Sequence, residues 1–380
     1  MFLALLELRA ARGRFLLMGS VVVLVAALVG IVSGFTTGLG DDTISALRRL
    51  PASQLVFSSD ARSDQFARSL LDERTAAAWR ADADTETTPL GVAITRGTTD
   101  RGAEVDLAAF GVEPGSFLNP AVTDGEGLTD SDGLTDGKPD SIVMSAELAD
   151  EGVRVGDTLT IDRLGIELRV VGLTERSAYG HVPVAYVPLK TWQRIRFSTP
   201  GAPASAAATI PDQFSALALR TPPAKTSAAT LDARHSTTTL TKEKAYEAAP
   251  GYTGERVTMT SIQVFLYLIA PLVVGAFFAV WTVQRQPELA LLRALGASRR
   301  RLLAHTVLQA ALVVVLGTAA GAVLAGAVGL LVGEQVPFSL PATTLAGTMC
   351  TVVAVGLAGT VLTLRRVTRA DPLTMLGANR

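Results

Sequence analysis

Most of the motifs that identify an enzyme are missing from this sequence of 380 residues. It has no GxxxxGKS or GxxxxGKT loop for nucleotide phosphates, no HExxH or GxSxG motif, and no paired cysteines at metal-ligand spacing. Its three histidines, His181, His235 and His305, are far apart in the chain. The sequence therefore predicts a protein that is not an enzyme, with no catalytic residues, no metal site and no intrinsically bound cofactor.

Charge is absent from four apolar runs at residues 15–39, 261–283, 306–333 and 343–364. Each run is long enough to cross the ~30 Å hydrocarbon core of a bilayer as a helix. A proton or ion relay would need ionisable groups inside the membrane, so their absence argues against a proton-coupled carrier or a channel. The single cysteine, Cys350, lies in the fourth run, so the long block between the first two runs has no disulfide and needs its own hydrophobic core.

Basic residues are unevenly distributed around these runs. Of 34 Lys and Arg, 22 lie in residues 40–258, and the other 12 are arginines in the two termini and in residues 284–305. Loops rich in Lys and Arg stay in the cytoplasm. Both termini and residues 284–305 are therefore predicted to be cytoplasmic, in a multi-pass protein of a bacterial plasma membrane. The acidic block and the short loop at 334–342 face outside.

The predicted fold class is a membrane α-helical protein of four transmembrane helices with a large extracytoplasmic α+β domain inserted between the first and second. A cytoplasmic amphipathic helix is expected at residues 1–14. The remaining segments are transmembrane helices at 15–39, 259–283, 306–333 and 343–364, the domain with its stalk helices at 40–258, a cytoplasmic coupling helix and loop at 284–305, an external loop at 334–342 and a cytoplasmic tail at 365–380.

Short β-branched runs separated by turn residues predict the strands of the inserted domain, with Arg163-Leu164-Gly165 as a hairpin turn. Residues 124–140 are acidic and glycine-rich; a solvated loop is favoured over a calcium loop, whose full spacing is missing, and cation binding stays open. The predicted helices lie at 41–49, 64–80, 146–151 and 189–196, and the predicted strands at 54–58, 90–95, 105–110, 141–145, 158–162, 167–171, 184–187 and 214–219.

Small residues recur at four-residue spacing in the first span, at Ala26, Gly30, Gly34 and Gly38. Such a face lets helix backbones approach closely, within one chain or between the chains of a dimer. The alternative is that these glycines make the helix flexible near the outer surface.

A short amphipathic helix is predicted in the cytoplasmic loop. Pro287 suits its first turn and Glu288 its positive N-terminal end, and Gly296 is a natural stop. An apolar stripe runs along it at Leu289, Leu292 and Leu295. Composition leaves two roles open: contact with a partner protein, or an anchor at anionic lipid headgroups.

The run ELALLRALGA at residues 288–297 resembles the cytoplasmic loop of FtsX-like and MacB-type permeases, the type VII ABC transporters. Residues 148–159 and 168–172, and Asp371-Pro372-Leu373, are similar to other parts of that family, whereas residues 284–287 carry less charge than many relatives. The resemblance implies a permease that dimerises in the membrane lipid and binds two ATPase subunits, which hold ATP and Mg²⁺. The contact would use Glu288, Leu289, Leu292, Arg293, Leu295 and Gly296. Movement of the second span would then change the conformation of the outside domains. No nucleic-acid partner is expected.

The substrate prediction comes from the narrower resemblance of residues 179–184, YGHVPV, and of the opening residues 1–4 to HrtB-type haem exporter permeases. Haem needs an axial ligand, an apolar wall and cations for its propionates. Two alternatives stay open: an FtsX-like transmitter that regulates a cell-wall hydrolase, and a permease that exports lipoproteins or glycolipids. The candidate haem residues are Tyr179, His181, Met259, Glu334, Phe35, Arg48 and Arg49.

Overall fold

The computed structural model describes residues 12–61, 65–129, 139–201, 210–223, 226–284, 298–332 and 337–369. The chain divides into two compact units. One unit, called here the inserted domain, is Gly40–Glu255; the other, the membrane unit, combines Met1–Leu39 with Arg256–Arg380.

The described residues form eleven α-helices and thirteen strands. The helices are α1 (Arg12–Thr43), α2 (Ser45–Arg49), α3 (Gln65–Arg68), α4 (Glu73–Ala83), α5 (Glu147–Asp150), α6 (Leu189–Phe197), α7 (Ala228–His235), α8 (Lys242–Ala245), α9 (Tyr252–Gln284), α10 (Arg299–Val332) and α11 (Ala342–Arg369). The strands are β1 (Gln54–Ser58), β2 (Leu71–Asp72), β3 (Thr87–Thr99), β4 (Glu104–Val112), β5 (Asp124–Gly125), β6 (Asp140–Ser145), β7 (Thr158–Ile161), β8 (Ile166–Thr174), β9 (Ala178–Tyr179), β10 (Val182–Pro188), β11 (Gln213–Phe214), β12 (Ala216–Leu219) and β13 (Thr237–Thr241).

Four of the described helices are long and apolar enough to cross a membrane: α1, α9, α10 and α11. Each is longer than the apolar run that predicted it, because polar residues at its ends continue the helix. At the inserted domain, α1 runs on to Thr43 and α9 begins at Tyr252. The stalk helix predicted at 41–49 is divided instead, since Ile44 leaves the helical conformation and α2 begins at Ser45.

A large sheet forms the inserted domain, with the strand order β13-β1-β12-β3-β4-β10-β6-β8-β5. Strand β7 pairs with both β3 and β8. The six strands β3, β4, β10, β6, β8 and β7 therefore make a closed ring of hydrogen-bonded neighbours. The hairpin between β7 and β8 turns at the predicted place, with Arg163 and Gly165 both at φ 65°.

Side chains alternate between two hydrophobic cores, because successive residues of a strand point to opposite faces of a sheet. Leu107 and Ala109 lie in the first core with Leu168, and the intervening Ala108 and Phe110 lie in the second. The domain thus has the hydrophobic core that a chain without disulfides needs.

Helix α6 covers β3 and β4 through Trp192, which is fully buried. Gly91 and Gly111 face each other across these strands, and a Cβ atom on either would collide with the Trp192 side chain. These two glycines are required because only the bare backbone leaves room for the indole.

Two predicted elements are interrupted in the structure. The helix predicted at 64–80 is replaced by α3, the short strand β2 and α4, because the Asp72 carboxylate accepts the Thr75 amide at 2.9 Å and starts a new helix there. The strand predicted at 214–219 divides into β11 and β12 at Ser215, whose hydroxyl accepts the Val92 amide at 3.1 Å.

Candidate functional site

The turn between β9 and β10 carries His181, one of the candidate haem residues. Gly180 and His181 both have left-handed backbone conformations, with φ of 61° and 64°, and Val182 pairs with Tyr179 across the turn. Two successive residues with positive φ are what a two-residue hairpin loop of type I′ requires. Histidine is one of the few residues besides glycine that adopt this conformation with some frequency, so Gly180-His181 was the available sequence signal for the turn.

His181 joins two residues that are distant in sequence, Thr43 and Glu255. Its Nε2 lies 2.7 Å from Glu255 Oε1 and 3.3 Å from Thr43 Oγ1. The Thr43 hydroxyl also donates to Glu255 Oε2 at 3.1 Å, and the Gly180 amide donates to the Thr43 carbonyl at 2.8 Å. We call Thr43, His181 and Glu255 the junction cluster; all three belong to the inserted domain.

Two of the three residues of the junction cluster lie at helix ends. Thr43 is the last residue of α1, and Glu255 lies in the first turn of α9. A carboxylate is favoured at this end of a helix because the unpaired backbone N–H groups carry partial positive charge. The cluster therefore links the end of one long helix, the start of another and a turn of the sheet.

The two arginines predicted as propionate partners follow Thr43 by a few residues in the chain, and each forms an exposed ion pair. Arg48 pairs with Asp41 at 2.5 Å, and Arg49 pairs with Glu175 at 2.8 Å. Lys242 is more enclosed: its ammonium donates to the Leu50 carbonyl at 2.6 Å, and burial lowers the pKa of this amine. The exposed ion pairs of Arg48 and Arg49 contribute little to stability.

Tyr179 is not available as a ligand at the domain surface. Its side chain is buried in the second core and packs edge-to-face against Phe66 and Phe110, with ring centroids 5.7 and 5.6 Å away. Tyr179 and His181 were both predicted from the YGHVPV run, but the turn places the Tyr179 side chain inside the core and leaves His181 exposed.

The small-residue face of α1 is covered by other parts of the membrane unit. A Cβ atom on Gly30 would lie 2.8 Å from Ala325 Cβ, and one on Gly321 would lie 2.6 Å from Ala26 Cβ. Gly34 meets the ring of Phe338, and Gly38 meets the backbone of Pro337. Within the described residues, this face is therefore occupied by contacts inside one chain.

The remaining predicted site residues are dispersed. Phe35 packs edge-to-face on Phe338, with ring centroids 5.2 Å apart, and Met259 is half-buried on α9. Glu334 and the predicted ATPase contacts Glu288, Leu289, Leu292, Arg293, Leu295 and Gly296 lie outside the described residues, as do residues 130–138 of the acidic loop. In the described part of the chain, no group of three or more His, Cys, Asp or Glu residues is placed to hold a metal ion.

A polar contact network between membrane helices was not predicted. The Gln263 amide donates to Thr36 Oγ1 at 2.6 Å, and the hydroxyls of Ser33 and Thr348 lie 3.3 Å apart. These bonds join α1 to α9 and to α11. Gln263 within an apolar run was the available signal, because a polar side chain in a membrane helix usually bonds to a neighbouring helix.

Comparisons with known proteins identify two family domains. Residues 15–233 match the MacB-like periplasmic core domain, and residues 260–372 match the FtsX-like permease C-terminal domain. The first match covers more than half of the chain.

Similar proteins span the whole sequence. The chain is 22% identical to the "Putative hemin transport system permease protein HrtB" of Staphylococcus haemolyticus (strain JCSC1435), over 99% of each chain. It is also 22% identical to the protein of the same name from Staphylococcus epidermidis (strain ATCC 12228 / FDA PCI 1200), over 100% of each chain. A segment covering 31% of this chain is 30% identical to the "Uncharacterized ABC transporter permease Rv2563" of Mycobacterium tuberculosis (strain ATCC 25618 / H37Rv), 34% of which it covers.

Two solved structures are also similar, both with a TM-score of 0.33. The extracellular domain of the noncanonic ABC-type transporter YknZ from Gram-positive bacteria is 13% identical, over 50% of this chain and 99% of that one. The periplasmic region of MacB from Actinobacillus actinomycetemcomitans is 12% identical, over 53% and 94%.

The family matches confirm the predicted fold class, four membrane helices with an extracytoplasmic domain inserted between the first and second. This chain is a member of the MacB-like and FtsX-like family of ABC transporter permeases, membrane subunits that are not themselves enzymes.

Proposed function

We propose that this chain is the permease subunit of an ATP-driven exporter, and that the exported substrate is amphipathic, with haem as the first candidate. The observation that carries the proposal is the similarity to hemin transport system permeases, which extends over essentially the whole length of both chains. In this proposal two copies of the permease assemble with two ATPase subunits in the plasma membrane, with both termini in the cytoplasm.

Mechanotransmission is the proposed mechanism. The four apolar runs carry no charged side chain, so the membrane helices offer no ionisable path for a polar solute. The ATPases would act on residues 284–305 and move α9, and the inserted domain would change its conformation outside the membrane. Haem would enter from the outer leaflet or from the outside space.

The haem proposal keeps five of the seven candidate residues. Tyr179 is dropped because it is buried in the core. His181 is dropped as well, because its Nε2 lies 2.7 Å from Glu255 Oε1 and iron could bind there only by displacing this carboxylate. Met259 and Glu334 remain candidate ligands, and Phe35 remains a candidate apolar contact. Arg48 and Arg49 remain candidate propionate partners, each of which would have to release its carboxylate.

The test is to purify the permease with its ATPase, reconstitute the complex in lipid nanodiscs and titrate it with hemin. We expect a shift of the Soret band and a change in ATP turnover. Replacing Leu292 on the predicted apolar stripe by Asp should abolish association with the ATPase, whereas Ala290→Asp on another face of the predicted helix should retain it.

Several outcomes would contradict the proposal. If hemin leaves both the absorption spectrum and ATP turnover unchanged, haem is not the substrate. A response to a lipid or lipoprotein would then favour the lipid-exporting relatives, and a response to a cell-wall hydrolase would favour a transmitter that exports nothing. If no ATPase associates with the wild-type permease, the assignment to an ATP-driven exporter is wrong.

A further inference from the structure

We infer that His181 is a coupling residue, which joins the end of α1 to the start of α9 and transmits a displacement between these helix ends to strand β10. The inference rests on the proposed function, because it names the residues through which mechanotransmission would enter the inserted domain. It also assigns to His181 a role that differs from binding the substrate.

The first support is the pattern of hydrogen bonds in the junction cluster. The Glu255 carboxylate accepts hydrogen bonds on both oxygens: from His181 Nε2 at 2.7 Å and from the Thr43 hydroxyl at 3.1 Å. The three residues are separated by at least 74 positions in sequence. A movement of either helix end relative to the turn must therefore stretch or break one of these bonds.

The backbone of the turn provides a second link to the same helix ends. The Gly180 amide donates to the Thr43 carbonyl at 2.8 Å. A Cβ atom on Gly180 would lie 3.5 Å from Pro250, two residues before α9 begins, so the turn also packs against that segment. The two left-handed residues, Gly180 and His181, are held between the ends of α1 and α9.

Strand β10 carries the displacement from the turn into the sheet. It starts at Val182, directly after His181, and pairs with β4 in parallel and with β6 in antiparallel orientation. It is therefore a member of the closed six-stranded ring rather than an edge strand. A closed ring has no free edge that could absorb the displacement locally, so movement of the turn is passed to neighbouring strands.

A second histidine–carboxylate pair in the same domain provides a matched control. His235 Nε2 lies 3.0 Å from Asp82 Oδ2, and the pair joins the last residue of α7 to α4. Both helices are short and lie wholly within the inserted domain. The two pairs share the same chemistry, but only His181 connects to the long helices α1 and α9.

The test follows amide hydrogen exchange in residues 178–184 of the full permease–ATPase complex, with and without trapped nucleotide. The variants are His181→Leu, which removes the donor, His181→Gln, which retains a side-chain N–H, and the control His235→Leu. In wild type we expect exchange in this segment to change with nucleotide. Loss of a hydrogen bond to a charged group shifts a two-state equilibrium on the order of 10-fold, so His181→Leu should remove most of that change.

The same complexes are assayed for hemin export per ATP hydrolysed. His181→Leu should lower this ratio several-fold while ATP hydrolysis and the thermal stability of the domain remain close to wild type. His181→Gln should restore it, and His235→Leu should lower stability without changing the ratio. A purely structural role would not separate export from hydrolysis in this way.

The outcomes distinguish the inference from the proposed function. If wild type shows no nucleotide-dependent exchange in residues 178–184, mechanotransmission through this domain is wrong and the inference fails with it. If wild type responds and His181→Leu responds equally, only the inference is overturned. If His181→Leu weakens hemin binding but leaves export per ATP intact, His181 is a substrate ligand rather than a coupling residue.

Discussion

The inserted domain and the membrane unit are packed by opposite means. Among the described residues, the largest fully buried side chains, including Trp79, Trp192 and Phe110, belong to the inserted domain. In the membrane unit small residues make the closest backbone contacts, such as Gly321 against Ala26, and many large apolar side chains are exposed: Leu330 and Leu331 are 88% and 85% exposed.

The difference follows from the solvent that each unit meets. In water, burying a large apolar side chain is the main source of stability. In a bilayer the lipid chains are as apolar as leucine, so helices gain stability from close backbone approach and from hydrogen bonds between polar side chains. The exposed leucines of the membrane unit are therefore suited to contact with lipid, and its glycines and Gln263 make the contacts between helices.

The largest effect is expected for a core aromatic residue of the inserted domain. Trp192→Ala should destabilise the domain by about 4 kcal/mol, because it removes a fully buried indole and leaves a cavity over Gly91 and Gly111. The free energy of opening can be measured by hydrogen exchange of the core strands. Ile94→Ala, at a half-exposed position of β3, should cost far less; an equal loss for both would show that this core does not dominate the stability of the domain.

A smaller effect is expected for a glycine contact between membrane helices. Gly321→Ala should destabilise the packing of α1 on α10 by about 2 kcal/mol, because the added methyl group collides with Ala26 and with the Val23 carbonyl. Gly326 is on the same helix, and a Cβ atom there meets nothing within 4 Å, so Gly326→Ala is the matched control. The stability of both variants can be measured by unfolding them with dodecyl sulfate in mixed micelles. Identical unfolding curves for the two variants would show that close contact at Gly321 does not stabilise the packing of α1 on α10.

The smallest effect is expected for Asp72, which caps α4 in the inserted domain. The Thr75 backbone N–H, and then its hydroxyl, hold the pKa of this carboxyl below its usual value. A carboxyl with a lowered pKa stabilises the fold above its unfolded-state pKa, and this contribution is lost as the pH falls from about 4 through the folded pKa. Asp72→Ala should cost about 1 kcal/mol at neutral pH.

The control for this prediction is Asp72→Asn, which keeps a capping oxygen but cannot titrate. The stability of α4 should then vary less with pH below about 4 than in wild type, as measured by hydrogen exchange of its amides at several pH values. If the asparagine variant loses stability on acidification as wild type does, other carboxylates govern that pH dependence.

Much of the architecture was predictable because it depends on local composition. Uncharged runs of spanning length identified the four membrane helices, and turn residues such as Gly165 marked strand ends. Element boundaries were less accurate where a side-chain contact decided them: Asp72 starts α4 and Ser215 separates β11 from β12. Neither residue is distinguishable by type from others that do not interrupt an element.

The candidate site was predictable only in part. His181 was selected by sequence, but its partners Thr43 and Glu255 were not, since they lie 138 and 74 residues away and carry no motif. Tyr179 was selected from the same YGHVPV run as His181, and the turn between β9 and β10 separates the two side chains.

The sequence by itself determined that this protein has four apolar helices and a large domain between the first two, because hydropathy and charge are properties of the chain. Only the tertiary structure decided that β7 closes a ring of six strands, that Gly30 and Gly321 lie at contacts inside the membrane unit, and that His181 meets Thr43 and Glu255. These features depend on pairings between distant segments, and composition does not encode which segments will meet.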